Sequence, residues 1–520
     1  MISIRQYTPG ELDMLKDAYL ADPSRDNSIS LFDQTWNDMD MDKVFARIDT
    51  CMSRAGQERL YSMLREPFSD SEEVKRRDSL IRYFDINEDI AEAYKKRLGE
   101  IGSSIIEPAS VTLSKLSSLK SGSIAGHVIC ALLGLFSLFM IFVSPTAGLL
   151  IFLIVLILNI TTYFKRKEQI APYLACFIYL IRSYYAVRSM LKVKDDENMS
   201  YRKELRRASQ VLKDVVRGSF LVTGGRGLTG SIFNMLLDYL RIFFHLDLIK
   251  FDSMAGNVLA HRDDIERMSY ALGEIDAFIA VAGYRRSLPF WCVPEISEGS
   301  ELQVSRLCHP LLHSPVSSDI HTDGRGVLVT GSNASGKSTF LRSVALSAIL
   351  GQSIATVYAG SYQAPLFYII SSMAISDDIA SGSSYYMAEI KSLKHLMDAC
   401  DSSRPVLCFV DEVLKGTNTI ERIAASSEIL KSLVKKNVIC FAATHDLELT
   451  DMLADYYANY HFEEDMKDDD IEFSYKLLEG PARTRNAIKL LKIMGYDGKI
   501  TESAERSASG FEESGTWRRL

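Results

Sequence analysis

The sequence predicts a multidomain chain: an α-helical core interrupted by a two-helix transmembrane hairpin, then an α/β domain built around a glycine loop. Three observations carry this prediction. The stretch Gly331-Ser-Asn-Ala-Ser-Gly336-Lys337-Ser338 completes the pattern G-x-x-x-x-G-K-[ST] between an apolar run and a helical one. No formally charged residue occurs between Ile124 and Ile160. Two further apolar runs end in polar groups, one at Asp411-Glu412 and one at Thr444-His445-Asp446.

Composition sets the limits. The chain has 520 residues, enough by length for roughly three to four folding units. Hydrophobic residues make up 47% and charged residues 24%, a globular rather than disordered balance. The net charge is −8 and the isoelectric point about 5.7, so the chain is no dedicated basic nucleic-acid module, and any DNA contact would need a local patch. The eight cysteines include no C-x-x-C pair, which reads as a reduced cytosolic set rather than a disulfide or zinc framework. The first residues carry no long apolar region of the signal-peptide kind.

Residues 1–105 read as mostly helical, with a turn at Pro67-Phe-Ser-Asp70. Residues 106–122 form a Ser/Lys-rich approach to the hairpin, which is bounded at 106–165. Its first run, Ile124 to Val143, is about 20 residues and would span about 30 Å as a helix, the thickness of a bilayer core. Ser144-Pro145 breaks it, and the second run continues to Tyr163-Phe164 before Lys165-Arg-Lys167. Lys115 and Lys120 flank the other end, so both basic ends share a side. The positive-inside rule then predicts a multi-pass protein of the cytoplasmic membrane with both soluble parts in the cytoplasm. The alternative is a buried core hairpin of a soluble domain.

Residues 166–299 read as a continuation of long helices. The Lys/Arg-rich span from Lys165 to Arg217 reads first as a solvated helix face, with attraction to anionic lipid and a DNA-backbone patch as alternatives. Thr223-Gly-Gly-Arg-Gly227 reads as a loop.

The α/β domain is bounded at 300–500. In the glycine loop, backbone amides of Gly331, Ser332, Asn333, Ala334, Ser335 and Gly336 can turn toward phosphate oxygens, helped by the positive end of the helix that follows through Thr339. Lys337 would reach the β- and γ-phosphates of ATP, and Ser338 would offer its hydroxyl to Mg²⁺. Pro405 to Val410 reads as a strand ending in Asp411, a second Mg²⁺ ligand, and Glu412, the general base for the attacking water. Asn437 to Ala443 reads as a third strand, placing His445 to sense the γ-phosphate. Ser381-Gly382-Ser383-Ser384 reads as a turn before a helix, either an anion-binding terminus or, favoured from this segment alone, a cap. Glu463 to Asp470 reads as a hairpin-tip loop, and the Ser/Glu/Gly-rich residues 501–520 as a disordered tail.

The strings "GSNASGKST", "SDDIASGSSYYMAE", "DEVLKGTNTIER" and "ATHD" together resemble the ATPase domain of the MutS mismatch-repair family. The similarity extends to Leu307-Cys-His309-Pro310, where Cys308 stands in for an Arg. It also covers Leu272-Gly-Glu274-Ile-Asp276, Asp49 to Leu60 near the start, and the C-terminal segments around Gly480 and Gly495. The resemblance implies an ABC-type P-loop ATPase working as a homodimer, with Ser384 of one subunit closing on the γ-phosphate held by the other. It also implies DNA as a partner. Two departures stand out. The chain begins close to the segment resembling the helical core, and its Phe-x-Glu strings, at Phe462 and Phe511, do not sit where a mismatch-reading wedge would. The apolar hairpin lies where the family's helices would run out to a DNA clamp. The alternatives are a membrane-anchored ATP-switched scaffold and a transporter ATPase, the latter disfavoured by two spans per chain.

Overall fold

The computed structural model describes residues 5–22, 25, 29–67, 70–102, 124–197, 199–223, 232–332, 335–373, 385–401, 403–415, 417–467, 470–482, 488, 491–492 and 494–517. Before the hairpin, helices cover Pro9–Leu20, Asp33–Asp38, Met41–Ile48, Arg54–Arg65, Ser71–Ile86 and Glu88–Ile101. After it come Leu174–Met190, Ser200–Val216, Leu246–Ala260 and Arg262–Ser287. The two sets pack as one helical body, and the motifs around Gly56 and Gly273 are two halves of one contact. A Cβ on Gly273 would stand 2.6 Å from the Ala55 carbonyl oxygen, so only glycine lets the helices approach this closely. Buried Asp276 accepts hydrogen bonds from Ser53 N (2.7 Å), Ser53 Oγ (2.6 Å) and Met52 N (3.1 Å). Ser53 in turn caps Arg54–Arg65 by accepting from Gly56 N at 3.1 Å.

The hairpin consists of Ile124–Val143 and Pro145–Ile170, both long and apolar enough to cross a membrane by length and composition. The second helix runs past the expected end near residue 165 to Ile170, because Arg166 and Lys167 find carboxylates at the foot: Arg166 bonds Asp252 at 2.7 Å, and Lys167 and Tyr163 both reach Asp247. A buried core hairpin is not what forms among the described residues. Phe142 is 88% exposed and Leu150 62%, and most outward side chains between them are uncovered. Gly148 lets the helices touch, since a Cβ there would meet the Met140 carbonyl. A third helix, Ile232–Phe244, packs against both. Asn159 Nδ2 donates to Phe243 O (2.8 Å) and Cys130 O (3.1 Å), and Phe243 lies over Gly134.

Most Lys and Arg side chains of the basic span after the hairpin are exposed, as expected of a solvated face, with Arg166 and Arg202 as buried exceptions. Arg202 is buried and bonds Glu197 at 2.8 Å, while Arg206 pairs with Glu197 and Arg207 with Asp264. Arg202 can leave water because it meets a carboxylate, whereas Arg206 and Arg207 stay about half exposed. The expected loop at Thr223–Gly227 lies, from 224 on, outside the described residues.

The strands, in chain order, are β1 Glu295–Ile296, β2 Gln303–Leu307, β3 Ser318–His321, β4 Gly326–Thr330, β5 Ser361–Ala364, β6 Tyr368–Ser372, β7 Val406–Asp411, β8 Val438–Thr444, β9 Tyr457–Lys467 and β10 Asp470–Glu479. A small sheet has the order β1-β5-β2-β3. The main sheet has the order β10-β9-β4-β8-β7-β6, parallel from β9 to β6, with β10 antiparallel at the edge. Its central strands are apolar throughout because both faces are covered. Val327, Val329, Phe409 and Phe441 face the helix Lys337–Ile354 and the helical body, while Leu328, Cys408, Val410 and Cys440 face the opposite core. The expected loop at Glu463–Asp470 is mostly strand, with only positions 468–469 between β9 and β10. The tail expected to be disordered instead forms the helix Gly498–Ser514, capped by Asp497 at one end and by left-handed Gly515 at the other. Good helix formers such as Glu502, Ala504 and Arg506 outweigh its serines and glycine.

Candidate active site

β4 delivers the chain to Gly331, whose φ of 143° and tight surroundings require glycine: a Cβ would lie 2.9 Å from Ser335 Oγ and 3.0 Å from Phe462 O. The loop closes with Ser335 Oγ donating to Ser332 O at 2.9 Å. Gly336, at φ 112°, is the N-cap of Lys337–Ile354, a helix buried along almost its whole length. Lys337 Nζ donates to Gly331 O (2.8 Å) and Ser332 O (2.7 Å), with His445 Nε2 at 3.4 Å. Ser338 Oγ donates to Asp411 Oδ2 at 2.6 Å.

The register of the parallel strands assembles the other half. Asp411 of β7 pairs with Ala443 of β8, so Glu412 and His445 emerge side by side. Glu412 Oε1 lies 2.7 Å from His445 Nε2, and Lys415 Nζ lies 2.8 Å from Glu412 Oε2. His445 first, and Lys415 after it, hold the Glu412 carboxyl down to about 2, against the opposing effect of burial. Arg422 clasps Asp446 through two bonds, of 2.9 and 2.6 Å, and fixes the turn that carries His445. Asn418 caps the helix Thr419–Ser432 by accepting from Glu421 N at 3.0 Å.

A cavity of about 510 Å³ opens beside this cluster. One wall is Ser332, Gly336 to Thr339 and Glu412; the other is His309, Leu312, Pro315, Val316, Phe462 and Tyr475. Burial, then nearby Arg342, pushes His309 down to about 4, so it is neutral at physiological pH.

The structure brings together Gly331, Ser332, Ser335, Gly336, Lys337, Ser338, Thr339, Asp411, Glu412 and His445. Asn333, Ala334 and Ser384 lie outside the described residues, as does the rest of the serine turn. Sequence reasoning missed the apolar wall, to which buried Phe462 and half-exposed Tyr475 contribute from consecutive strands. It also missed Lys415 and Glu389, the latter accepting from Leu414 N at 2.6 Å. The oxygen pair Ser338 Oγ and Asp411 suits a hard divalent cation such as Mg²⁺. Asp411 Oδ1 is buried and has no hydrogen-bond partner among the described residues, a donor atom of the kind such an ion uses.

Comparisons with known proteins agree with this part of the chain. The family model described as MutS domain V matches residues 327–512. A DNA mismatch repair protein MutS from Natronomonas pharaonis is 30% identical over 284 residues, covering 52% of this chain and 32% of the relative. The chain thus aligns with about a third of that relative's length. Residues 327–512, which carry the candidate site, are thus similar to MutS domain V.

Proposed function

We propose that this chain is an ATPase that binds and hydrolyses ATP with Mg²⁺ in a site completed by a second copy. We further propose that it couples this cycle to a DNA transaction of the mismatch-repair kind while tethered to a membrane. The observation that carries the ATPase reading is the Ser338–Asp411 contact with its unsatisfied buried oxygen, on the same cavity as Lys337 and the Glu412–His445 pair. Loop amides and the helix terminus would receive the phosphates, and the Lys337 ammonium would turn from the loop carbonyls to their oxygens. The base would lie against Leu312, Pro315, Val316 and Tyr475. Ser338 and Asp411 would hold Mg²⁺, which when bound neutralises phosphate charge. Glu412 would orient and deprotonate water once His445 swings toward the terminal phosphate, since a carboxylate held by both His445 and Lys415 is a weak base.

The dimeric arrangement and the trans role of Ser384 follow from the family resemblance. DNA enters because the relative is a DNA mismatch repair protein. A cytoplasmic-membrane location with soluble parts inside rests on the uncovered hairpin and its basic ends. The hairpin also favours a second reading, an ATP-switched membrane scaffold that does not touch DNA.

Lys337→Ala should abolish nucleotide binding, and Glu412→Gln should retain it while lowering turnover by on the order of a hundredfold or more. Normal hydrolysis by Glu412→Gln would remove the assigned base. Steady-state hydrolysis with homoduplex, mismatched or no DNA separates the two readings, since a scaffold's rate ignores all DNA.

A further inference from the structure

The helix Tyr385–Ala399 starts directly after the serine turn, and its fifth residue, Glu389, is 5% exposed. Glu389 Oε1 accepts from Leu414 N at 2.6 Å and from Lys415 N at 3.3 Å. These amides belong to the loop that presents Glu412. That loop is strained: Glu412 has φ 53° and Leu414 φ 59°, both in the left-handed region that non-glycine residues avoid. Such conformations persist only where the surroundings over-determine them. Glu389 supplies that constraint, together with the buried side chains of Val413 and Leu414. Its Oε2 is buried without a hydrogen-bond partner among the described residues, so the carboxylate bears a desolvation cost for this one contact. One turn further along the same helix, Ser392 Oγ bonds Ser372 Oγ (2.8 Å) at the end of β6 and Gln34 (2.6 Å from its Nε2) in the helical body. This helix therefore joins the helical body to the loop that carries Glu412.

We propose that Glu389 is a positioning residue for hydrolysis, tying the helix that follows the serine turn to the backbone that holds Glu412 in its left-handed conformation. The assignment rests on the ATPase reading above. Movement of the helical body through Gln34 and Ser392 then reaches Glu412 through this carboxylate without any contact between Glu389 and the nucleotide.

The test uses the full chain in detergent, comparing Glu389→Ala and Glu389→Gln with the unaltered protein for kcat, KM and affinity for a non-hydrolysable ATP analogue. Glu389→Ala should lower kcat by on the order of a hundredfold, as a misplacement of about 1 Å can do, with KM and analogue affinity within about threefold. Glu389→Gln keeps the carbonyl acceptor and should recover most of that loss. The proposal is overturned if Glu389→Ala keeps full kcat. It is equally overturned if both variants lose analogue binding along with kcat, which marks a general structural role. If the unaltered chain binds the analogue yet never hydrolyses ATP, the ATPase reading falls and takes this assignment with it.

Discussion

The ion pairs of Glu412 have a pH consequence that belongs to single residues. Its folded-state pKa, about 2, lies below its ordinary 4.5. Native contacts that depress a carboxyl contribute stability above the unfolded value, and this contribution is lost as pH falls from about 4.5 toward about 2. Replacing His445 with Ala removes the larger cause, so the Glu412 carboxyl should titrate closer to 4.5, readable by carbon-detected NMR of labelled glutamate. An unmoved titration would mean that Lys415 alone sets the value. At this scale much was legible in the sequence. Lys337, Ser338, Asp411, Glu412 and His445 each sit at the end of an apolar run, and a parallel sheet brings such ends to one edge. Glu389 was not legible as a partner of the loop at Leu414, because the two are joined only by how a helix packs across strand ends.

Between elements, the glycine and carboxylate of the long helix Arg262–Ser287 decide how the helical body closes. Asp276 satisfies three donors at the start of Arg54–Arg65, and removing it as Asp276→Ala leaves them buried and unpaired. The expected cost is roughly 2–4 kcal/mol, measured by urea denaturation. Gly273→Ala forces its new methyl against the Ala55 carbonyl and should cost about 1–3 kcal/mol in the same assay. Unchanged midpoints for both variants would show that the two helices separate more easily than this packing implies. The sequence resemblance marked these segments individually. Their pairing across more than two hundred residues depends on the hairpin folding out as an excursion from one continuous body.

In the molecule as a whole, the helix Lys337–Ile354 links the candidate site to that body. Its first turn lies at the glycine loop, while at its other end Arg77 donates to Ser353 O and Arg285 Nη2 to Ala355 O at 2.7 Å. Arginines on the last carbonyls of a helix oppose its negative end and fix its axis. A change at the loop therefore bears directly on the helices that lead to the hairpin. The apolar faces of that hairpin are uncovered within this chain, as a surface that meets a membrane or a partner would be. The full chain should accordingly pellet with membranes and resist alkaline carbonate, whereas Leu132→Asp combined with Ile154→Asp should release it, because each buried carboxylate costs a few kcal/mol in hydrocarbon. Unaltered protein in the carbonate supernatant would argue for a partner protein over that surface. The sequence by itself determined the glycine loop, the strands ending in Asp411 and Thr444, and the two apolar spans, because turn chemistry, apolar runs and the lack of charge are local properties of neighbouring residues. Only the tertiary structure decided that Glu389 bonds the loop at Leu414, that Gly273 meets Ala55, that Ile232–Phe244 joins the hairpin, and that Arg202 is buried. Each of those depends on which distant surfaces meet, and burial, not local propensity, sets that choice.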